Sequence, residues 1–304
     1  MTGETRQTKI SGYRAKKKGP PFFEITIGAV LTLWAVLIVF PFFNVIAVSF
    51  ATEKEYLLAP YMFFPLKPTL ENYIKLVNDS RIFIGYRTTL IFLIIGLPYN
   101  MGLTMCTAYA LSRPSFPGKK FFMYYIVFTM YFSGGIIPLY LWIRDLHLTD
   151  TIWSVILPYG VNTFYMLIMR NYIMGLPASI AESARMDGAG ELHILARIIL
   201  PLSKPILATF GLFFAVDRWN EWYTAMIFIK SQKIMPLQLV LRTITISTQA
   251  AKTMALGAVG IDTALFSRGL KAAAVIVTMA PIMFAYPFLQ RYFVKGIALG
   301  AVKS

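Results

Sequence analysis

Six apolar stretches, each long enough to cross a lipid bilayer, constrain this chain more than any other feature of its sequence. They cover about residues 24–50, 85–111, 121–143, 151–174, 203–229 and 272–294. A transmembrane helix needs about 20 mostly apolar residues. Because 57% of the 304 residues are hydrophobic and only 14% are charged, one soluble core cannot hide this apolar excess. The sequence therefore predicts an all-α membrane protein with six transmembrane helices.

The basic residues near the ends of these stretches predict the orientation of the chain. Lys and Arg are enriched in cytoplasmic loops. The tail of residues 1–23 carries six basic residues and a single acid, Glu4, and the loop of residues 112–120 carries three basic residues and no acid. Six spans then place both termini in the cytoplasm, with a C-terminal tail over residues 295–304. Residues 230–271 become a long outer loop, whose basic residues do not oppose this orientation because long loops translocate largely regardless of charge.

The sequence offers little material for catalysis or for metal and nucleotide binding. One cysteine, Cys106, and two histidines cannot form a zinc cluster, and no Gly-rich phosphate-binding loop is present. We therefore expect no cofactor on this chain. The net charge of +15 is scattered between apolar blocks, which argues against binding of nucleic acid. The chain is expected to be a transport component that another subunit drives, and not an enzyme.

The cytoplasmic loop over about residues 176–202 carries the most specific pattern. The spacing of Ser179 and Glu182 is that of a capping box, which predicts the start of a short helix. Gly188 and Gly190 predict a turn, and a second helix over about residues 191–199 should end at Pro201. A structural helix-turn-helix lying on the membrane would share these caps and glycines.

The loop resembles the signature of the membrane subunits of ABC importers. That signature is Glu-Ala-Ala, three residues, Gly, nine residues, Ile, one residue and Leu-Pro. Here it reads Glu182-Ser183-Ala184, then Gly188, Ile198 and Leu200-Pro201, with Ser183 as the one departure. Asp187-Gly188-Ala189 is similar to the carbohydrate-importer version, and the segments 68–73, 219–221 and 290–296 agree. The resemblance is strongest to the second permease of importers for maltose, alginate or rhamnogalacturonan fragments.

This resemblance implies a binding-protein-dependent permease of the type I fold in a bacterial cell membrane. Such a permease pairs with a homologous second permease to form the pathway, and an extracytoplasmic binding protein delivers the carbohydrate. Two cytoplasmic ATPase subunits bind ATP and Mg²⁺. The resemblance also implies that the signature loop docks into the ATPase through eight residues: Glu182, Ser183, Ala184, Asp187, Gly188, Ala189, Leu200 and Pro201.

Polar and aromatic residues within the spans are candidates for solute contact. Ionisable groups inside a membrane usually face the protein interior or a water-filled cavity, and the fifth stretch carries Asp217, Arg218 and Glu221. The candidates for the translocation pathway are Tyr99, Asn100, Asn162, Trp219, Asn220 and Glu221. The alternative for Trp219 and its neighbour Trp222 is an anchoring role at the lipid interface. Two other functions stay open: a permease for a non-sugar solute, and a six-span membrane enzyme.

Overall fold

The computed structural model describes residues 21–255 and 268–284, which form helices and connecting turns without a β-strand. The expected C-terminal tail, most of the N-terminal tail and part of the expected outer loop lie outside these residues. The helices are α1 (Pro21–Phe50), α2 (Glu53–Leu58), α3 (Glu71–Val77), α4 (Ser80–Ser112), α5 (Lys119–Tyr131), α6 (Ile136–Asp145), α7 (Trp153–Ile156), α8 (Thr163–Met174), α9 (Ala178–Met186), α10 (Glu191–Leu202), α11 (Lys204–Trp219), α12 (Tyr223–Phe228), α13 (Leu237–Ala255) and α14 (residues 268–284).

Two of these helices, α1 and α4, are long and apolar enough to cross a membrane alone. Two further pairs reach that length only together: α5 with α6, which are bent by 114°, and α10 with α11, which are bent by 85°. The described residues therefore supply two to four candidate spans. The count of six stays a prediction for the whole chain.

Three of the expected spans are broken helices. The third is interrupted between Tyr131 and Ile136, where Gly135 has a φ of 88°. The fourth is interrupted at residues 157–162 around Pro158, and the fifth between Trp219 and Tyr223. Proline removes a backbone donor and glycine accepts backbone angles that other residues avoid, so both residue types favour such breaks.

The central helix of the described part is α4, which packs against α8, α11 and α13. Its middle turn, Phe92–Gly96, is π-helical and immediately precedes Pro98. Because Pro98 has no N–H to donate, the ladder of hydrogen bonds must adjust at this point. Met105, Met166 and Phe210 bring α4, α8 and α11 into one buried apolar cluster.

In contrast to α4, α1 stands largely free of the rest of the chain. Its side chains are exposed from Phe22 to Phe42, and only its last turns pack, through Ala47 and Val48, against Ala272 of α14. A long apolar helix exposed on all sides is typical of a surface that faces lipid or another subunit.

Candidate functional site

The signature loop is a helix–turn–helix whose turn depends on Gly188. At the end of α9, the N–H of Ala189 donates to the carbonyl oxygen of Ala184 at 2.9 Å, and the N–H of Gly188 donates to that of Arg185 at 3.0 Å. These two bonds form a Schellman motif, which requires a left-handed residue after the helix. Gly188 supplies it with a φ of 83°. The expected glycine turn is therefore present.

The expected capping box at the start of α9 is absent, so that prediction is wrong. The helix begins at Ala178, with Pro177 at the N-cap position and no side-chain hydrogen bond to the cap. Ser179 thus lies inside the first turn, two residues past the N-cap position from which a side chain accepts from the N–H groups of that turn. The exposed side chain of Glu182 is left without its expected capping role.

One face of the loop is anchored in the core and the other is exposed. Ala181, Ile194 and Leu195 are buried in the cluster that joins α4, α8 and α11. On the other face, Met186 is 88% exposed and Leu192 is 82% exposed. Two large apolar side chains are therefore exposed on either side of the turn. The second helix continues past Pro201 to Leu202, beyond its expected end.

Glu191 connects the loop to the C-terminal end of α4. Its Oε1 accepts a hydrogen bond from Nε of Arg185 at 2.8 Å, and its Oε2 accepts one from the hydroxyl of Tyr109. Nε of Arg113 lies 3.7 Å from the same Oε2, and the guanidinium of Arg113 stacks 4.2 Å from the centre of the Tyr109 ring. The hydrogen bond from Arg185, followed by that from Tyr109, holds the pKa of Glu191 below its usual range. One carboxylate thus joins α9, α10 and α4.

Replacing Glu191 with glutamine should loosen the loop at neutral pH. Because the carboxylate is about half exposed, the expected loss is about 1 kcal/mol, which corresponds to roughly fivefold faster hydrogen exchange over residues 185–195. The folded-state pKa is lowered, so this stabilisation is complete above the unfolded pKa of about 4.3 and is lost as the pH falls through the folded pKa. Glu71→Gln, which breaks the exposed pair with Lys75, is the control. Equal hydrogen exchange over residues 185–195 in both variants would show that Glu191 does not hold the loop against α4.

A polar cleft of about 360 Å³ lies between the middle of α4, the residues just before α8, the last turns of α11 and the start of α12. Its polar lining is Asn100, Asn162, Asp217, Arg218, Glu221 and Thr224, and its aromatic lining is Tyr159, Phe214 and Tyr223. Glu221 accepts from the N–H of Thr224 at 3.0 Å and lies 4.0 Å from the guanidinium of Arg218. Asp217 accepts from the hydroxyl of Tyr165 at 3.2 Å. Amide, carboxylate and aromatic groups together suit a ligand with many hydroxyls.

Arg218 stabilises the break between α7 and α8 beside this cleft. Its guanidinium donates to the carbonyl oxygens of Val155 at 3.1 Å and Ile156 at 3.4 Å, and to Oδ1 of Asn100 at 3.0 Å. Non-helical backbone at membrane depth persists only where its polar groups find partners or water. Arg218 is 4% exposed, so its guanidinium bonds to acceptors of the protein and not to solvent.

Two residues of α4 donate to three further carbonyl oxygens of the same break. Nδ2 of Asn100 donates to Tyr159 O at 2.6 Å and to Gly160 O at 3.1 Å, and the Tyr99 hydroxyl donates to Leu157 O at 3.4 Å. The fit is close: a Cβ on Gly160 would lie 2.9 Å from the Tyr99 oxygen. Tyr99 and Asn100 therefore contact backbone in addition to any role at the cleft.

The cleft contains three of the six pathway candidates. Asn100, Asn162 and Glu221 line it, whereas Tyr99 is not part of the lining and bonds to Leu157 O in the neighbouring break. Trp219 is instead buried beside Tyr86, with its indole N–H donating to Thr278 O at 3.3 Å. Asn220 ends α11, and its side chain lies 3.5 Å from Nε2 of Gln238.

Sequence reasoning left Asp217, Arg218 and the aromatic lining out of the candidate set. Asp217 and Glu221 are four residues apart, a spacing that places two side chains on one helix face, and this signal pointed to Asp217. Nothing in the local sequence indicates Tyr159, Phe214 or Tyr223. Within residues 21–255 and 268–284, no three His, Cys, Asp or Glu side chains gather as a metal site would require.

Comparison with known proteins places this geometry in a family. The sequence matches the family described as "Binding-protein-dependent transport system inner membrane component" over residues 20–299. It is 35% identical to the polygalacturonan/rhamnogalacturonan transport system permease protein YtcP of Bacillus subtilis (strain 168), over 93% of this chain and 98% of that protein. It is 38% identical to Protein LplC of the same organism, over 88% and 90%.

A solved structure is similar over almost the whole chain. The match is to a chain of a bacterial ABC transporter involved in the import of the acidic polysaccharide alginate. The TM-score is 0.81 at 28% identity, covering 93% of this chain and 100% of that one. The all-helical arrangement described above is therefore the type I ABC permease fold.

Proposed function

The chain belongs to the family of inner membrane components of binding-protein-dependent transport systems, and from this premise we propose that it imports oligosaccharides or polysaccharide fragments as an ABC permease. Members of this family are transport components and not enzymes. They act with a partner permease, an ATPase and a solute-binding protein. The resemblance inferred from the signature loop is confirmed by this membership.

The observation that carries the sugar assignment is the extent of the similarity to sugar permeases. A Bacillus subtilis permease named for polygalacturonan and rhamnogalacturonan and a solved chain of an alginate importer each align over 93% of this chain. The cleft supports the assignment, because three aromatic rings and several amide and carboxylate groups surround it. Aromatic faces with a few placed polar groups are typical of sites for polar organic ligands.

Within the importer, this chain forms half of a pathway that opens alternately to the two sides of a bacterial cell membrane. Six spans with both termini in the cytoplasm fit that role, with a homologous second permease as the other half. Two ATPase subunits bind ATP and Mg²⁺, and this chain binds neither. A binding protein delivers the carbohydrate to the outer side, near the loop of residues 230–271.

The signature loop is the docking element for the ATPase. Its exposed apolar side chains are Met186 and Leu192. Their burial against the ATPase would stabilise the complex by about 25 cal/mol per Å² of apolar surface removed from water. Glu182 and Asp187 are exposed on the first helix and its end, where they can pair with basic residues of the partner. Ala184 and Ala189 pack in the turn, and Leu200 and Pro201 continue the second helix into the bend before α11.

Reconstitution tests the proposed function directly. The chain, its partner permease, the ATPase and the binding protein are assembled in proteoliposomes, and uptake of labelled oligosaccharides is measured with and without ATP. ATP-dependent uptake of a sugar supports the proposal. Uptake of a peptide or another non-sugar solute, with no sugar accepted, would replace it.

Glu182→Gln should uncouple sugar binding from ATP hydrolysis. The substitution removes the charge and keeps the shape, and the side chain has no capping bond in α9 to lose. We expect sugar-stimulated hydrolysis to fall about tenfold, equivalent to a charge-assisted hydrogen bond of about 1.4 kcal/mol, while insertion and assembly stay normal. Glu24→Gln, in the first turn of α1, is the matched control. Unchanged stimulation in the Glu182 variant would remove this residue from the ATPase contact.

A further inference from the structure

The three charged groups at the cleft are not equally available to a solute. The side chains of Arg218 and Glu221 are only 5% and 15% exposed. Arg218 is committed to Asn100 and to two carbonyl oxygens, and Glu221 caps the start of α12 through the N–H of Thr224. Asp217 is exposed, and among the described residues its one hydrogen-bond donor is the Tyr165 hydroxyl, on Oδ2. The acid is therefore the charged group that a solute in the cleft would meet.

The cleft consequently presents negative charge next to aromatic faces. Two carboxylates and one guanidinium line it, and the guanidinium points its donors into the protein. A carboxylate accepts hydrogen bonds from sugar hydroxyls, and these charge-assisted bonds are stronger than neutral ones. A solute that carries its own carboxylates would instead meet repulsion, since like charges a few ångströms apart in a partly dry site interact strongly.

We propose that Asp217 is the specificity-determining residue of this cleft, and that it favours neutral oligosaccharides over oligosaccharides of uronic acids. The inference rests on the proposed function, because it assumes that sugar passes the cleft. The Asp217 carboxylate accepts hydrogen bonds from sugar hydroxyls, and the Tyr165 hydroxyl holds that carboxylate in place. The apolar faces are those of Tyr159, Phe214 and Tyr223. For two carboxylates about 6 Å apart in a medium between protein and water, the discrimination is about tenfold in relative uptake.

Matched sugars that differ only in charge isolate this effect. The probes are oligouronides, from galacturonate, glucuronate and mannuronate, each as the free acid and as the neutral methyl ester. The complete reconstituted importer takes up each pair, and the ratio of acid to ester uptake is compared between wild type and Asp217→Asn. The binding protein contributes the same factor to the acid-to-ester ratio of the wild type and to that of the variant. Its own preference therefore cancels when the two ratios are compared. Asp145→Asn, on an exposed acid that pairs with Arg144 and does not line the cleft, is the control.

The expected result is an acid-to-ester ratio that rises about tenfold above the wild-type value in Asp217→Asn and stays at the wild-type value in Asp145→Asn. Asp217→Ser gives a second neutral variant should the asparagine variant fail to assemble. A ratio that stays at the wild-type value in an assembled neutral variant overturns the inference, as does a ratio that falls. Failure of the wild-type importer to take up any sugar, charged or neutral, would instead overturn the proposed function.

Discussion

Replacing Arg218 with methionine is expected to abolish transport and to lower the amount of assembled protein. Methionine keeps an unbranched apolar side chain but leaves the carbonyl oxygens of Val155 and Ile156, and Oδ1 of Asn100, without their donor. Each buried polar group left unsatisfied costs about 1–3 kcal/mol. A total near 3 kcal/mol lowers the population of the competent fold by roughly a hundredfold. Membrane content of the protein and uptake per assembled complex are the two measurements.

Two matched variants separate this role from a general effect of losing an arginine. Arg242→Met removes an exposed guanidinium that stacks 3.8 Å from the Trp222 ring, and we expect only a small loss. Arg218→Lys keeps the charge but cannot reach three acceptors in a fixed fork, so uptake should fall between the wild type and the methionine variant. Near-normal assembly and uptake in Arg218→Met would show that the break at residues 157–162 does not depend on this side chain.

Gly188→Val is expected to reduce sugar-stimulated ATP hydrolysis at least tenfold while the protein still inserts. With a φ of 83°, Gly188 occupies the left-handed region, which costs a β-branched residue more than the roughly 1–2 kcal/mol paid by residues in general. Relief of that strain would open the Schellman motif and move Met186 and Leu192 from their exposed positions. Hydrolysis by the reconstituted importer, with and without sugar, is the measurement.

The control for this prediction uses the same position. Asparagine tolerates the left-handed region better than other non-glycine residues, so Gly188→Asn should keep most of the stimulated hydrolysis. A Cβ at Gly188 meets no neighbouring atom within 4 Å, so steric overlap cannot account for a difference between the two variants. Equal loss in both variants would indicate that the exposed glycine surface, and not the turn geometry, matters for coupling.

Local pattern predicted the helical class and the signature loop well, because both depend on residues near one another in sequence. The second expected span, at about residues 85–111, agrees with α4, and the turn at Gly188 follows from a local backbone requirement. The capping box failed for an equally local reason: Pro177 takes the N-cap position and moves the helix start ahead of Ser179.

The breaks in the spans could not be read from hydropathy. The mean hydropathy of a stretch of residues depends only on which side chains it contains. It therefore has the same value for a continuous helix and for two short helices at an angle. What stabilises the break at residues 157–162 is a set of donors far away in sequence, Asn100 and Arg218. The same limit explains Trp219: the sequence offered a pathway role or an anchoring role at the lipid interface, but α11 ends at Trp219, whose buried side chain packs against Tyr86.

Helix α11 connects the signature loop to the cleft, beyond the 85° bend that separates it from α10. It begins just after the loop, at Lys204, and its last turns carry Asp217 and Arg218 at the cleft. Sixteen residues at 1.5 Å each give an arm of about 24 Å. A tilt of about 10° of a rigid α11 about its loop end therefore displaces its cleft end by about 4 Å, roughly the thickness of a sugar ring.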